Sequence, residues 1–447
     1  MADKKQITAL EIAIAGIAGV AALAPLLGWT WLTNPAQAFE NGIASLSWTQ
    51  LAALSGMIGT VGGAWWLLRP TDLAQTVNDR DAARYLIGDQ RTGKTTLASL
   101  WFQDDIRTPH SWTHQGRGYS AGNDRGAAWI TTHGAADIAA LVPPGRLSLF
   151  SPPNTRGINI LAGGDPYASA NRVVTIMERL WPDLGDVQRQ LLYTAALTVS
   201  QERPRATLHD VVRFCDDPRE RRAYAVNSEA AQRSWANPDK GAVRGLITRL
   251  DRTLASPRLS LGLADPDGYD LDDEIRKNRV FVADLTQDDT ADAEVLAQAL
   301  VSMFQQVSVR RGSDAQMYPV YLDEFQGYTS ASIETWITEG GKRHCPLTLI
   351  HQNRSQIEGK KRLAAAALSC GTIYCMRVNV HDAKELAPAL GLKSEEAAQL
   401  TSLPTRHYRA RILSRGRIIH RRGSVPYVDG SRRDDRADRD AARRDHD

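Results

Sequence analysis

Gly88-Asp89-Gln90-Arg91-Thr92-Gly93-Lys94-Thr95 spells the phosphate-binding loop pattern: a glycine, four residues, then Gly-Lys-Thr. The flanks suit it. Tyr85-Leu86-Ile87 reads as the strand that feeds the loop, and 96–102 as the helix that leaves it. Gly88 and Gly93 let the backbone wrap tightly, so that the N–H groups of Gly88, Asp89, Gln90, Arg91, Thr92, Gly93, Lys94, Thr95 and Thr96 can converge on phosphate oxygens. The helix start adds the positive end of its dipole. In this pattern Lys94 meets the β- and γ-phosphates of ATP, and the Thr95 hydroxyl ligates Mg2+.

A hydrolase also needs an acid for the metal and a group that activates water. Val320-Tyr321-Leu322-Asp323-Glu324 supplies both, as a short apolar strand ending in consecutive carboxylates. Asp323 takes the metal-holding role. Glu324 takes that of the general base. A second buried-looking strand, 347–350, runs into His351-Gln352-Asn353, which makes Gln352 a candidate sensor of the γ-phosphate or the attacking water. Upstream of it, Gly340-Gly341-Lys342-Arg343 carries two cations. Arg343 is a candidate arginine finger towards a neighbouring subunit, with an ordinary surface cation as the competing reading.

Around these motifs, short apolar runs alternate with helical patterns, which predicts an α/β domain with a mostly parallel sheet. The strands are expected at 84–87, 128–131, 147–150, 280–284, 320–322, 347–351 and 372–377. Residues 165–276 are dominated by helical periodicity. Val173, Val174, Ile176, Met177, Leu180 and Trp181 line one face there, and Leu246, Ile247, Leu250 and Leu254 another. Thr207 and Asp210 have capping-box spacing. This region is expected to be an all-α subdomain inserted into the motor, dividing it into a first part, 71–164, and a second, 277–427. The polar, glycine-containing stretch 107–125 and the segment 354–362 are candidate loops for contacting DNA.

Two further stretches, 12–32 and 48–68, lack charge and are each long enough to cross a bilayer as a helix. Trp29, Trp31, Trp48, Trp65 and Trp66 fall near their ends. Lys4 and Lys5 precede the first, Arg69 follows the second, and the connection 33–47 carries no Lys or Arg. The positive-inside rule then puts both termini in the cytoplasm, and 1–70 forms a two-span transmembrane anchor. The first run is too long for a secretory signal. A net charge of only +3 imposes no global field on a polyanionic partner. Cys215, Cys345, Cys370 and Cys375 show no metal-binding spacing and read as reduced thiols. Arginines crowd 406–422, with Arg415-Gly416-Arg417 as a hairpin-turn candidate and anionic lipid as an alternative partner for the cluster. The last stretch, 428–447, becomes almost wholly Arg, Asp and Ala and is expected to be disordered.

Taken together, the two-span anchor, the Gly88 to Thr95 loop, Leu322-Asp323-Glu324-Phe325 and the strand ending in His351-Gln352-Asn353 resemble the coupling ATPases of type IV secretion and conjugation, within the FtsK/HerA group of RecA-like motors. That resemblance implies a RecA-like P-loop NTPase. It also implies a homo-hexameric ring at the bacterial inner membrane that uses ATP and Mg2+ to move DNA, or a relaxase-bound nucleoprotein cargo, towards a type IV secretion channel. Export of protein effectors without DNA is the alternative within the same family. A membrane-bound nucleotide switch is the alternative outside it, and the adjacent acid Glu324 speaks against that one.

Overall fold

The computed structural model describes residues 82–425, except 108–109, 115–116, 122–124, 144, 225–232, 287–289, 313–314, 329–330 and 415. The two predicted spans and the charged tail lie outside the described residues. Among those described, no helix is long and apolar enough to cross a membrane.

The core is a nine-stranded sheet in the order β11-β10-β9-β1-β8-β7-β4-β6-β5. Its strands are β1 (Arg84–Ile87), β4 (Ala127–Thr131), β5 (Leu147–Phe150), β6 (Val280–Asp284), β7 (Val320–Asp323), β8 (Leu347–His351), β9 (Thr372–Cys375), β10 (His407–Ser414) and β11 (Arg417–Ser424). The run from β9 to β5 is parallel throughout, and β10 and β11 are added antiparallel. All seven expected strands are present. β4 starts one residue earlier than read, β7 runs on through Asp323, and β9 stops at Cys375.

These strands are apolar on both sides because both faces of the sheet are covered. Leu86, Trp129, Val282, Tyr321, Ile350 and Tyr374 face α1 (Lys94–Arg107), which contributes Leu97, Trp101, Phe102 and Ile106. Tyr85, Ile87, Ile130, Phe281, Leu322 and Leu349 face the opposite layer. There α10 (Thr290–Arg310) buries Leu296, Leu300 and Phe304. Beneath the phosphate loop, Arg84, Asp105 and Tyr321 join in a buried polar knot. Arg84 pairs with Asp105 at 3.0 Å, and the Tyr321 hydroxyl donates to the same carboxylate at 2.5 Å. The end of α1 is thereby locked to the sheet.

Between the adjacent parallel strands β5 and β6, the chain is helical: α3 (Pro166–Leu180), α4 (Asp186–Glu202), α5 (Leu208–Asp216), α6 (Pro218–Tyr224), α7 (Lys240–Leu254), α8 (Pro257–Ala264) and α9 (Leu271–Arg276). Their entry and exit chains touch. Ile160 N donates to Leu263 O at 2.9 Å, and Asp265 N to Ile158 O at 3.1 Å. The approach is so close that a Cβ on Gly157 would lie 1.7 Å from the Leu261 carbonyl oxygen, so only glycine fits. Within the helical layer, the Asp210 side chain accepts from Thr207 N at 2.8 Å, the expected capping box, and α5 starts at Leu208.

Three smaller features complete the architecture. The polar stretch after α1 is not a simple loop: its backbone forms an antiparallel hairpin, β2 (His110–His114) with β3 (Arg117–Ala121). A short helix, α2 (Ala136–Ala140), follows β4. After β7, β8 and β9 come α11 (Ala331–Glu339), α12 (Lys361–Ser369) and α13 (Val380–Ala389), respectively. All four cysteines are buried free thiols, and burial pushes the Cys215, Cys345 and Cys370 thiols up to about 12.

Candidate functional site

The topology brings the two motifs to one edge. β8 lies between β1 and β7, so the phosphate loop after β1, Gln352 after β8 and the Asp323-Glu324 pair at the end of β7 share the carboxyl end of the sheet. In open α/β sheets this is the edge where ligands bind.

The loop is held from both neighbours. Gly88 N donates to His351 O of β8 at 3.3 Å, and Asp89 N to Arg377 O beyond β9 at 2.7 Å. A Cβ on Gly88 would sit 2.7 Å from the Met376 Cβ, which explains the first glycine. The second, Gly93, has φ 101°, and Arg91 also has positive φ. Inside the loop, the Thr92 hydroxyl donates to Asp89 O at 2.7 Å and the Lys94 Nζ to the same carbonyl at 2.8 Å. Thr92 and Lys94 are buried, whereas Gln90, Arg91 and Thr95 are exposed at the open side and Thr96 is half-buried.

Lys94 reports the convergence electrostatically. Burial lowers its pKa, and the charges of Glu324, Asp323 and Asp89 oppose that shift. Asp323 is buried at the top of β7, with the Thr131 hydroxyl of β4 at 3.5 Å. Its pKa is raised to about 6, chiefly by burial and then by the Glu324 charge, with His133 and Lys94 opposing. Glu324 is buried too and adopts φ 54°. Its carboxylate accepts from the Gln326 amide at 2.7 Å on one oxygen and from the Gln352 amide on the other. The turn that carries it, Phe325–Tyr328, is gripped by Arg179 of α3, which donates to Gly327 O and pairs with Glu294 of α10.

Arg343 is placed elsewhere. It lies before β8, at the opposite edge of the sheet, where its guanidinium donates to Val309 O at 2.8 Å in the last turn of α10. Within one chain it does not join the phosphate loop.

Several participants escaped the sequence reading: Thr131, His133, Gln326 and Arg406. A signal existed for the first two, since the expected strand 128–131 ends at Thr131 and runs on into Thr132-His133, at the same edge as Asp323. Arg406 was read only as the start of the arginine-rich segment 406–422, because its N–H reaches Thr92 O, at 2.9 Å, only through the tertiary fold.

No protein-family model and no curated protein matches this sequence. Solved structures do. The fold is similar to that of the bacterial conjugative coupling protein TrwB, with a TM-score of 0.56 and 12% identity, covering 78% of this chain and 86% of that one. VirB4 of Thermoanaerobacter pseudethanolicus matches at TM-score 0.56 and 13% identity, over 78% of this chain and 90% of that one. TrwB bound to ADP and Mg2+ matches at TM-score 0.55 and 12% identity, over 79% of this chain and 88% of that one. At 12–13% identity, what this chain shares with the coupling protein and VirB4 is the fold, a mixed α/β arrangement.

Proposed function

We propose that this chain is an Mg2+-dependent ATPase that drives DNA, or a relaxase-bound nucleoprotein, through a type IV secretion or conjugation apparatus, acting as a homo-hexamer anchored by two spans in the bacterial inner membrane with both termini cytoplasmic. The observation that carries the enzymatic part is the meeting of Lys94, Asp323, Glu324 and Gln352 at one sheet edge. The likeness in fold to a conjugative coupling protein supports the secretion or conjugation role, and the uncharged runs 12–32 and 48–68 are the basis for the anchor.

The donor set suits a magnesium nucleotide. Two buried carboxylates adjoin one buried ammonium, and Asp323 is held well above the usual carboxylate range. A divalent cation would relieve that excess, with Thr95 and Asp323 as its protein ligands. Bound there, Mg2+ supplies charge stabilisation at the phosphoryl oxygens. The protein does the remainder. Backbone N–H groups from Gly88 to Thr96 orient the phosphates, and Lys94 exchanges its bond to Asp89 O for phosphate oxygens. The Glu324 carboxylate, fixed by Gln352 at Oε1 and Gln326 at Oε2, takes the proton of the attacking water on one of its oxygens. Gln352, which already touches Glu324, orients that water. The left-handed backbone at Glu324 aims its carboxylate back over the end of β8.

The test uses the full chain in nanodiscs. Lys94→Ala is expected to abolish nucleotide binding. Glu324→Gln is expected to bind ATP with turnover reduced by about a hundredfold or more, the scale of a lost general base. Turnover of the parent protein should rise with DNA and lose that stimulation steeply as salt increases. Normal hydrolysis by Glu324→Gln would remove the base assignment. Absence of any DNA effect at low salt in assembled rings would move the cargo to protein.

A further inference from the structure

Among the described residues, the non-glycines with positive φ are Arg91, Asn278, Glu324, His344 and Arg406. Asparagine tolerates that conformation, and His344 ends a 3-10 turn before β8. Of the other three, Arg91 belongs to the phosphate loop and Glu324 is the proposed base. Arg406 belongs to neither motif, yet it shares their backbone strain, which accumulates where function requires it.

Its surroundings impose that conformation from two sides. Arg406 N donates to Thr92 O of the phosphate loop at 2.9 Å, and Arg406 O accepts from Val425 N at 2.7 Å. The residue is therefore clamped between the loop and the far end of the β10–β11 hairpin. Its side-chain stem crosses the loop at Gly93. A Cβ there would lie 3.2 Å from Arg406 Cγ and 3.6 Å from its Cα. Gly93 thus serves two needs, its own φ of 101° and room for the arginine. The cation already inside the loop, Lys94, faces Asp323 and Glu324, so part of its charge is engaged by the protein's own acids. A bound polyphosphate calls for more positive charge than Lys94 supplies.

We propose that Arg406 is a nucleotide-contacting cation delivered in cis by the β10–β11 hairpin, recognising the phosphates of a nucleoside di- or triphosphate from the side of the loop at Thr92 and Gly93. The proposal rests on the nucleotide-binding reading above and extends it to a residue outside both motifs. It also ties the edge of the sheet to nucleotide occupancy, because the same residue bonds the chain that leaves β11.

The experiment measures binding of fluorescent ATP and ADP analogues to the full chain carrying Arg406→Gln, Arg406→Ala or Arg406→Lys, with nucleotide-free melting alongside. Arg406→Gln and Arg406→Ala should weaken both nucleotides about tenfold or more, the scale of a lost charge-assisted contact. Arg406→Lys, which keeps a charge, should stay within about threefold of the parent. The nucleotide-free melting temperature of Arg406→Gln should match that of Arg406→Lys. Parental affinity in Arg406→Gln would overturn the contact. So would equal weakening in Arg406→Lys and Arg406→Ala, which would make Arg406 a prop for the loop rather than a ligand. Lys94→Ala is measured in parallel: if it binds as the parent does, the phosphate-loop reading fails whatever Arg406 does.

Discussion

His351 shows how a residue picked out by its neighbours can have a different task from theirs. It precedes Gln352, and its carbonyl holds the start of the phosphate loop. Its ring is fully buried, with the Tyr85 hydroxyl 3.1 Å from Nδ1 and the Phe325 ring centroid at 5.1 Å. Burial, and after it the Arg354 charge, push its pKa down to about 3. The imidazole is therefore neutral in the folded chain and acts as a spacer at the top of β8. A base whose folded pKa is depressed stabilises the fold above its unfolded pKa and loses that contribution as pH falls. Stability should thus decline from about pH 6.5 towards pH 3, by up to about 1.4 kcal/mol per pH unit for this one group. Urea titrations of the parent and His351→Gln between pH 7 and 4 would check it. An unchanged acid slope in a folded His351→Gln would assign the loss to other groups. Of the candidate site residues, Lys94 was legible from the glycine-lysine-threonine pattern, and Asp323, Glu324 and Gln352 because each ends or follows an apolar strand run. Gln326 and Arg406 were not, since a side chain in a turn and a backbone bond across hundreds of residues leave no local pattern.

The parallel strands were legible because both of their faces are buried, so each reads as an unbroken apolar run between turn residues. The β2–β3 hairpin was not, and of the β10–β11 hairpin only the turn at Arg415-Gly416-Arg417 was. His110-Ser111-Trp112-Thr113-His114 and Arg117-Gly118-Tyr119-Ser120-Ala121 carry too little apolar residue to stand out from a polar loop. In β10, Tyr408, Ala410 and Ile412 are buried and alternate with Arg409 and Arg411, a period-two signal hidden by the arginine density. The helices between β5 and β6 were recognisable from their apolar stripes, but their grip on the turn after Glu324 was not. Arg179 leaves α3, pairs with Glu294 and holds the Gly327 carbonyl, just beyond Glu324. A change at α3 should therefore reach the base without reaching the phosphate loop. Arg179→Ala is expected to lower kcat by about three- to tenfold, from loss of a charge-assisted hydrogen bond at the turn, with the ATP dissociation constant unchanged. Steady-state kinetics with direct binding measurements would separate the two. A weakened affinity at unchanged kcat would sever the proposed link between the helical layer and the carboxylate.

Assembly decides what Arg343 does. β8 has five residues, so its two ends are roughly 13 Å apart at strand rise. Arg343 stands before one end and Gln352 after the other, and the guanidinium is engaged with Val309 O at the end of α10. Within a single chain it is a helix-terminal cation, and removing it should cost about 1 kcal/mol of stability through the lost carbonyl bond and dipole contact. To stabilise a transferring phosphoryl group, it must be offered to another subunit's site, which requires a ring. The two roles make opposite forecasts for mixtures. If Arg343 acts between subunits, Arg343→Ala chains turn over slowly alone. Mixing them with Lys94→Ala chains, which keep Arg343 but bind no nucleotide, should then restore hydrolysis at the intact phosphate loops. If it acts only as a helix-terminal cation, Arg343→Ala melts earlier, retains its turnover below that transition and gains nothing from the mixture. Hydrolysis measured across mixing ratios, at a protein concentration where assembly is verified, distinguishes the two. A rescue that peaks at intermediate ratios is the expected result for a motor whose catalytic sites are completed by the next subunit, and a flat response would leave Arg343 to the end of α10.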